Sequence, residues 1–70
     1  MYIRLKELRK TNNFTQKEIS NYLEISTTQY YLYESGKRNI PLHLLIKLSK
    51  FYNTSIDYIV GDTNSIKKHN

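Results

Sequence analysis

The chain is expected to fold as an all-α domain of five short helices, and three observations lead there. Apolar residues recur at steps of three and four instead of alternating. Two glycines, one proline and scattered Ser, Thr and Asn residues divide the 70 residues into five segments. Most of those segments open on a residue type that caps helices.

The first segment sets Tyr2, Leu5 and Leu8 at three-residue steps and stops at Asn12-Asn13. Asparagine tolerates the left-handed conformation that ends helices, so a first helix is expected over about residues 2–11. Thr15-Gln16-Lys17-Glu18 is a capping box: the threonine hydroxyl accepts from the third helical amide while the glutamate reaches back to the cap amide. A second helix therefore starts there, buries Ile19 and Leu23 with Tyr22 alongside, and runs no further than Leu23 or Glu24. Its limit is set by a second capping box, Ser26-Thr27-Thr28-Gln29, which opens a third helix over about 27–35. That helix buries Tyr30 and Tyr33 and stops at Gly36. After a basic loop, Pro41 suits the first turn of a fourth helix, whose apolar stripe is Leu42, Leu45, Leu48 and Tyr52. Thr54-Ser55-Ile56-Asp57 caps a short fifth helix that Gly61 closes. Residues 62–70 are polar and lack apolar spacing, so the domain is expected over 1–61 with a disordered tail behind it.

Size and composition exclude several classes. A chain this short hides only about 60 % of the surface its unfolded form exposes, which leaves room for one domain. Eleven Lys and Arg against six Asp and Glu give a formal charge of +5, which favours a polyanionic partner. With no cysteine there is no disulfide framework, and a reducing, cytoplasmic setting is expected. The longest apolar run, residues 42–46, is interrupted by His43 and falls well short of the roughly 18 residues that cross a bilayer, so no membrane partner is expected. Arg4, Lys6, Arg9 and Lys10 near the start are followed by polar residues and not by the apolar stretch of an export signal. His43 and His69 are the only imidazoles, and no glycine-rich phosphate loop or paired nucleophile and base is present. No metal, no cofactor, no small-molecule site and no catalysis are expected.

Two helices joined by a three-residue turn, the second fronted by small hydroxyl residues, form the geometry in which one helix props another in a DNA major groove. The segments Phe14-Thr15-Gln16-Lys17-Glu18-Ile19, Tyr33-Glu34-Ser35-Gly36-Lys37-Arg38 and Ser55-Ile56-Asp57-Tyr58-Ile59-Val60-Gly61 stand at matching spacing around that pair. Together with Leu23, Ile25, Tyr30, Leu42, Leu45 and Leu48 they make the chain resemble, over nearly nine-tenths of its length, the phage repressor and Cro type of helix-turn-helix regulator, also called the xenobiotic-response-element family. The resemblance implies a five-helix domain that binds double-stranded DNA at a palindromic operator, usually as a homodimer and usually as a repressor. One position departs from the family's pattern. Its turn usually carries glycine, and here stands Glu24, for which a left-handed conformation costs about 1 kcal/mol.

The expected base readers sit on the third helix. Ser26, Thr27 and Thr28 are short enough for close approach to base edges, their hydroxyls donate or accept, and threonine methyls meet thymine methyls. Ser26 and Gln29 are equally explained as caps. Tyr31 and Leu32 lie a turn further along the same exposed face; Tyr31 can supply a phosphate hydrogen bond or stack, while a leucine reads only methyl groups or shape, which points toward A·T-rich DNA. Lys37, Arg38 and Asn39 follow the reading helix and are placed to grip backbone phosphates, with Lys17 and Lys10 as weaker candidates. The resemblance implies a phosphate contact for Gln16 that also braces the third helix, a partly buried ion pair between Arg9 and Glu34, and a dimer contact around Tyr58, Ile59 and Val60. The competing reading is a protein-interaction module, since the family also includes antitoxins and antirepressors, and seven tyrosines suit a protein interface.

Overall fold

The computed structural model describes residues 3–61; Tyr2 and the expected tail over 62–70 lie outside them. The fold is all-helical, with α1 (Leu5–Thr11), α2 (Gln16–Leu23), α3 (Thr27–Glu34), α4 (Leu42–Phe51) and α5 (Ile56–Ile59), and no strand among the described residues. These helices fall into two compact units, Leu5–Asn39 with α1 to α3, and residues 3–4 and 40–61 with α4 and α5. No helix among the described residues is long and apolar enough to cross a membrane.

In the first unit α1 begins three residues later than the spacing suggests, and of its described apolar residues Leu5 is fully buried and Leu8 half-buried. Asn13, at φ 62°, turns the chain out of the helix as expected. The capping box at α2 is complete: the Glu18 amide donates to Thr15 Oγ1 at 3.1 Å and the Thr15 amide to Glu18 Oε1 at 2.8 Å. Ile19 and Leu23 are buried, joined by Ser20. Tyr22 is 40 % exposed and is not part of that face. Ser20 lies three residues before Leu23 and one after Ile19, on the stripe that Tyr22 leaves.

The turn into α3 keeps its shape without glycine. Glu24 sits at φ 61°, ψ 40°, and the amides of Glu24 and Ile25 donate back to Asn21 O and Ser20 O. Glu24 carries the steric cost of the left-handed region, about 1 kcal/mol or a little more, since its Cβ crowds the following carbonyl oxygen. Glu24→Gly should therefore stabilise the chain by about 0.5 kcal/mol, the relief exceeding the extra unfolded-chain entropy of glycine. Urea unfolding checks this, and a midpoint that falls would mean the turn is not strained.

α3 ends with Ser35 as its cap and Gly36 at φ 79°. A side chain at Gly36 would meet no other atom within 4 Å, so the demand there is on the dihedral and not on space.

The second unit corrects the reading of α4. Pro41 is the N-cap, in extended conformation, and not a residue of the first turn; its carbonyl accepts from the Leu44 and Leu45 amides. The buried stripe is Leu44, Leu45, Leu48 and Ser49, while Leu42 is 63 % exposed and Tyr52 half-buried. Apolar residues at 42, 44, 45 and 46 offer more than one stripe of helical spacing, and periodicity does not choose between them. α5 opens on Ser55, whose hydroxyl accepts from the Tyr58 amide at 3.0 Å, and Gly61 closes it at φ 86°. Arg4 is tied to this end of the unit: its amide donates to Ile59 O, its Nη1 to Tyr58 O at 2.7 Å, and its guanidinium lies 4.4 Å from the Tyr58 ring centre.

Candidate nucleic-acid interface

α3 is a two-faced rod because its aromatic residues at 30 and 33 share one side. Tyr30 is 0 % exposed and Tyr33 5 %, while Ser26, Thr27 and Thr28 at its amino end are exposed. The Ser26 hydroxyl accepts from the Gln29 amide at 3.0 Å, as a cap should. Only half of the expected capping box forms, since the Gln29 side chain does not return to the Ser26 amide. Ser26 is thereby committed to the helix end, and the half-buried Gln29 keeps its amide for another partner.

Thr27 is constrained in a way its exposure conceals. The buried Ser20 hydroxyl gives its single proton to Lys17 O at 2.9 Å, so in its 3.2 Å contact with Thr27 Oγ1 it accepts. Thr27 is then the donor of that bond, which joins α2 to α3 across the turn. What remains of Thr27 for a ligand is its pair of acceptor positions and a methyl group, whereas the Thr28 hydroxyl keeps both roles. Ser20 carries this contact without having been singled out in the sequence. Its signal was a small hydroxyl residue within an otherwise apolar stripe.

Further along, Tyr31 is 44 % exposed and Leu32 is half-buried, so the two do not share one exposed face as expected. The Leu32 carbonyl accepts from Ser35 Oγ and from the Arg38 amide, which folds the following loop against the end of α3. Lys37 extends its ammonium to 5.7 Å from the Tyr31 ring centre, and Lys37, Arg38 and Asn39 are all exposed. Lys17 and Lys10 are exposed as well.

Behind α3, Arg9 and Glu34 make a two-pronged pair, Nε to Oε2 at 2.8 Å and Nη2 to Oε1 at 3.0 Å, with side chains 12 % and 4 % exposed. The third guanidinium nitrogen donates to Phe14 O at 2.9 Å. Gln16 Nε2 adds a 3.2 Å bond to Glu34 Oε1, so this residue at the first position of α2 does brace α3. Burial by itself would raise the Glu34 pKa, but hydrogen bonds from Arg9 and Gln16, the nearby Tyr30 hydroxyl and the charge of Arg9 outweigh it and hold the carboxyl below its ordinary range.

Of the residues expected at a dimer contact, Ile59 is 0 % exposed and leaves no surface for one. Tyr58 and Val60 are half-buried and keep some surface. His43 is exposed on α4, and no group of three His, Cys, Asp or Glu residues among those described is arranged for a metal.

The helix-turn-helix family matches residues 5–59, from the start of α1 to the end of α5. The HTH-type transcriptional regulator ImmR of Bacillus subtilis is 39 % identical over 66 residues, covering 94 % of this chain and 52 % of ImmR. An uncharacterized HTH-type transcriptional regulator of the same organism, YobD, is 34 % identical over 61 residues, 87 % of this chain and 54 % of its own. The cryptic phage CTXphi transcriptional repressor RstR of Vibrio cholerae is 29 % identical over 62 residues, 89 % and 57 % of the two chains. The chain thus spans about half the length of the curated relatives it matches. No solved structure matches it significantly. With a doubly capped helix pair, a hydroxyl-fronted third helix and a match that runs through all five elements, the chain belongs to the phage-repressor type of the helix-turn-helix family, a family of transcription regulators and not of enzymes.

Proposed function

We propose that this chain is a sequence-specific DNA-binding module of a cytoplasmic transcription regulator, a repressor by its likeness to RstR, that lays the amino end of α3 in the major groove. The observation that carries the reading is the division of α3, with Tyr30 and Tyr33 sunk in the unit and Thr28 standing out at the end nearest the turn. Thr28 and Gln29 are the base readers best supplied with unused polar groups, and Thr27 contributes its methyl. Ser26 serves as cap, Tyr31 stands at the margin of the contact, and Leu32 contributes shape at most. Lys17, Lys37, Arg38 and Asn39, with Gln16 through the amide hydrogen that Glu34 does not use, supply phosphate contacts.

One reading helix covers too few base pairs for regulatory specificity, so the module pairs on a palindrome with half-sites about one helical turn apart. Tyr58 of α5 and Val60, its C-cap, are the contact residues left for such a pair, and the exposed Leu42 and Ile46 on α4 add apolar surface in the same unit.

Selection of bound sequences from random duplexes tests the whole reading: a palindromic motif should emerge, and an unenriched pool at physiological salt would remove it. Within the selected site, Thr28→Ala should cost about 1–3 kcal/mol of discrimination at one base position. Lys37→Ala should instead weaken all sequences alike and flatten the salt dependence by about one unit of slope. Fluorescence anisotropy with matched and mismatched duplexes separates the two effects, and a uniform loss from Thr28→Ala would take it out of the groove.

A further inference from the structure

The Ser20 hydroxyl stands where packing does not call for one. Ser20 is 1 % exposed, on the buried side of α2 with Ile19 and Leu23, and its single proton goes to Lys17 O at 2.9 Å in its own helix. Alanine would fit the same space, form helix more readily and bury no polar group. What the hydroxyl adds is an acceptor across the turn, 3.2 Å from Thr27 Oγ1 at the first position of α3. Thr27 is exposed, and water would satisfy its hydroxyl without this bond. Two properties of Thr27 are fixed by it. A hydroxyl has one proton, and here that proton is held on the α2 side, so toward a ligand Oγ1 accepts and does not donate. Oγ1 and the methyl group share one Cβ with few allowed rotamers, so holding the one also sets the direction of the other.

We propose that Ser20, without touching DNA, is a positioning residue for base recognition: it makes Thr27 an acceptor-and-methyl reader that refuses guanine. The proposal rests on the DNA-binding reading and deepens it by naming what one reader selects. In the major groove cytosine offers an amino donor, adenine an amino donor beside an acceptor, and thymine a methyl beside an acceptor, whereas guanine offers two acceptors alone. An acceptor and a methyl find something to meet on the first three. Against guanine they set lone pairs facing lone pairs with water excluded, which forfeits a hydrogen bond at a desolvated site. A threonine with its proton at liberty has no such bias, since it donates to guanine as readily as it accepts from cytosine. A buried residue of α2 thereby decides the base chosen by α3.

Selection of bound sequences with the intact chain and with Thr27→Val, which keeps the branched shape and loses the hydroxyl, locates the base that Thr27 meets as the position where the two preferences differ. Anisotropy then compares two duplexes that carry cytosine or guanine there. The intact chain should bind the guanine duplex about tenfold more weakly, the worth of one hydrogen bond made or refused. Ser20→Ala should erase most of that difference by restoring the guanine duplex. A tie that only holds α2 against α3 has another signature: both duplexes weaken by one factor and their ratio is kept. Ser20→Cys, whose sulfur is a weaker acceptor, should fall between serine and alanine, and it carries the comparison should circular dichroism find Ser20→Ala unfolded. With Thr27→Val in place the changes at Ser20 should leave the ratio alone, because there is no proton to release. A ratio unmoved by the changes at Ser20, a ratio moved equally in the Thr27→Val background, or no base position at which Thr27→Val alters the preference overturns the role of Ser20 and leaves the DNA-binding reading standing. Failure of the intact chain to bind any duplex at any salt removes that reading instead.

Discussion

Arg9→Met should lower the stability of the chain by about 3 kcal/mol, the range seen when one partner of a buried ion pair is removed, because the Glu34 carboxylate is left with a side chain 4 % exposed and its main cation gone. In a domain of this size each kcal/mol is worth roughly 4–8 °C, so the melting temperature should fall by more than about 10 °C. Arg9→Met with Glu34→Leu should recover most of the loss, since two apolar side chains of similar volume leave no unpaired charge behind. If the double variant melts as low as the single one, the pair is held for packing and not for charge. Glu34→Gln reports on the same pair through pH. The folded-state pKa of Glu34 lies below its ordinary value of 4.5, so its contribution is fully present above that value and is lost as pH falls through the lower folded value. Between neutral pH and about 4.5 the intact chain and Glu34→Gln should differ by a constant amount, and below it the gap should close. Thermal melts from pH 7 down to pH 3 check the sign, and a gap that widens in acid would contradict it.

Tyr30→Ala should cost about 3–5 kcal/mol, as for other large aromatic residues removed from a core, and leave little folded chain at 37 °C. Tyr30 is fully buried in the middle of α3, so its removal opens a cavity directly behind the face proposed to meet DNA. Tyr30→Phe keeps the ring and removes only the hydroxyl that helps hold Glu34 charged, so about 1 kcal/mol should be lost. Denaturant unfolding of the two variants separates volume from polarity. Equal losses would show that the hydroxyl and not the ring carries the site. Because both changes act behind α3 and not on its exposed end, any Tyr30→Phe molecules that remain folded should keep their sequence preference.

The family and the order of elements were legible because their signals are local. Thr15 with Glu18, Ser26, Ser55, Gly36 and Gly61 each act on amides or dihedrals within a few residues, and every one of them stands where its chemistry required. The two-faced pattern of α3 is likewise a matter of three-residue spacing. Glu24 shows the limit of such reasoning in the other direction: the turn takes a left-handed residue whether or not glycine is there to supply it cheaply, because the capped helices on both sides dictate its ends.

The amino-acid sequence by itself determined the order of the helices and the caps that open α2, α3 and α5, which side of α3 turns inward, and that the surplus charge is positive. Tertiary structure alone decided which of several equally spaced leucines α4 would bury, that Ile59 would fill an interior and not a surface, and that Thr27 would spend its proton on Ser20. The physical reason is range. Caps and periodicity are settled within one or two turns of chain, whereas the partner of a hydroxyl and the occupant of a core depend on which residues distant in sequence are packed against them.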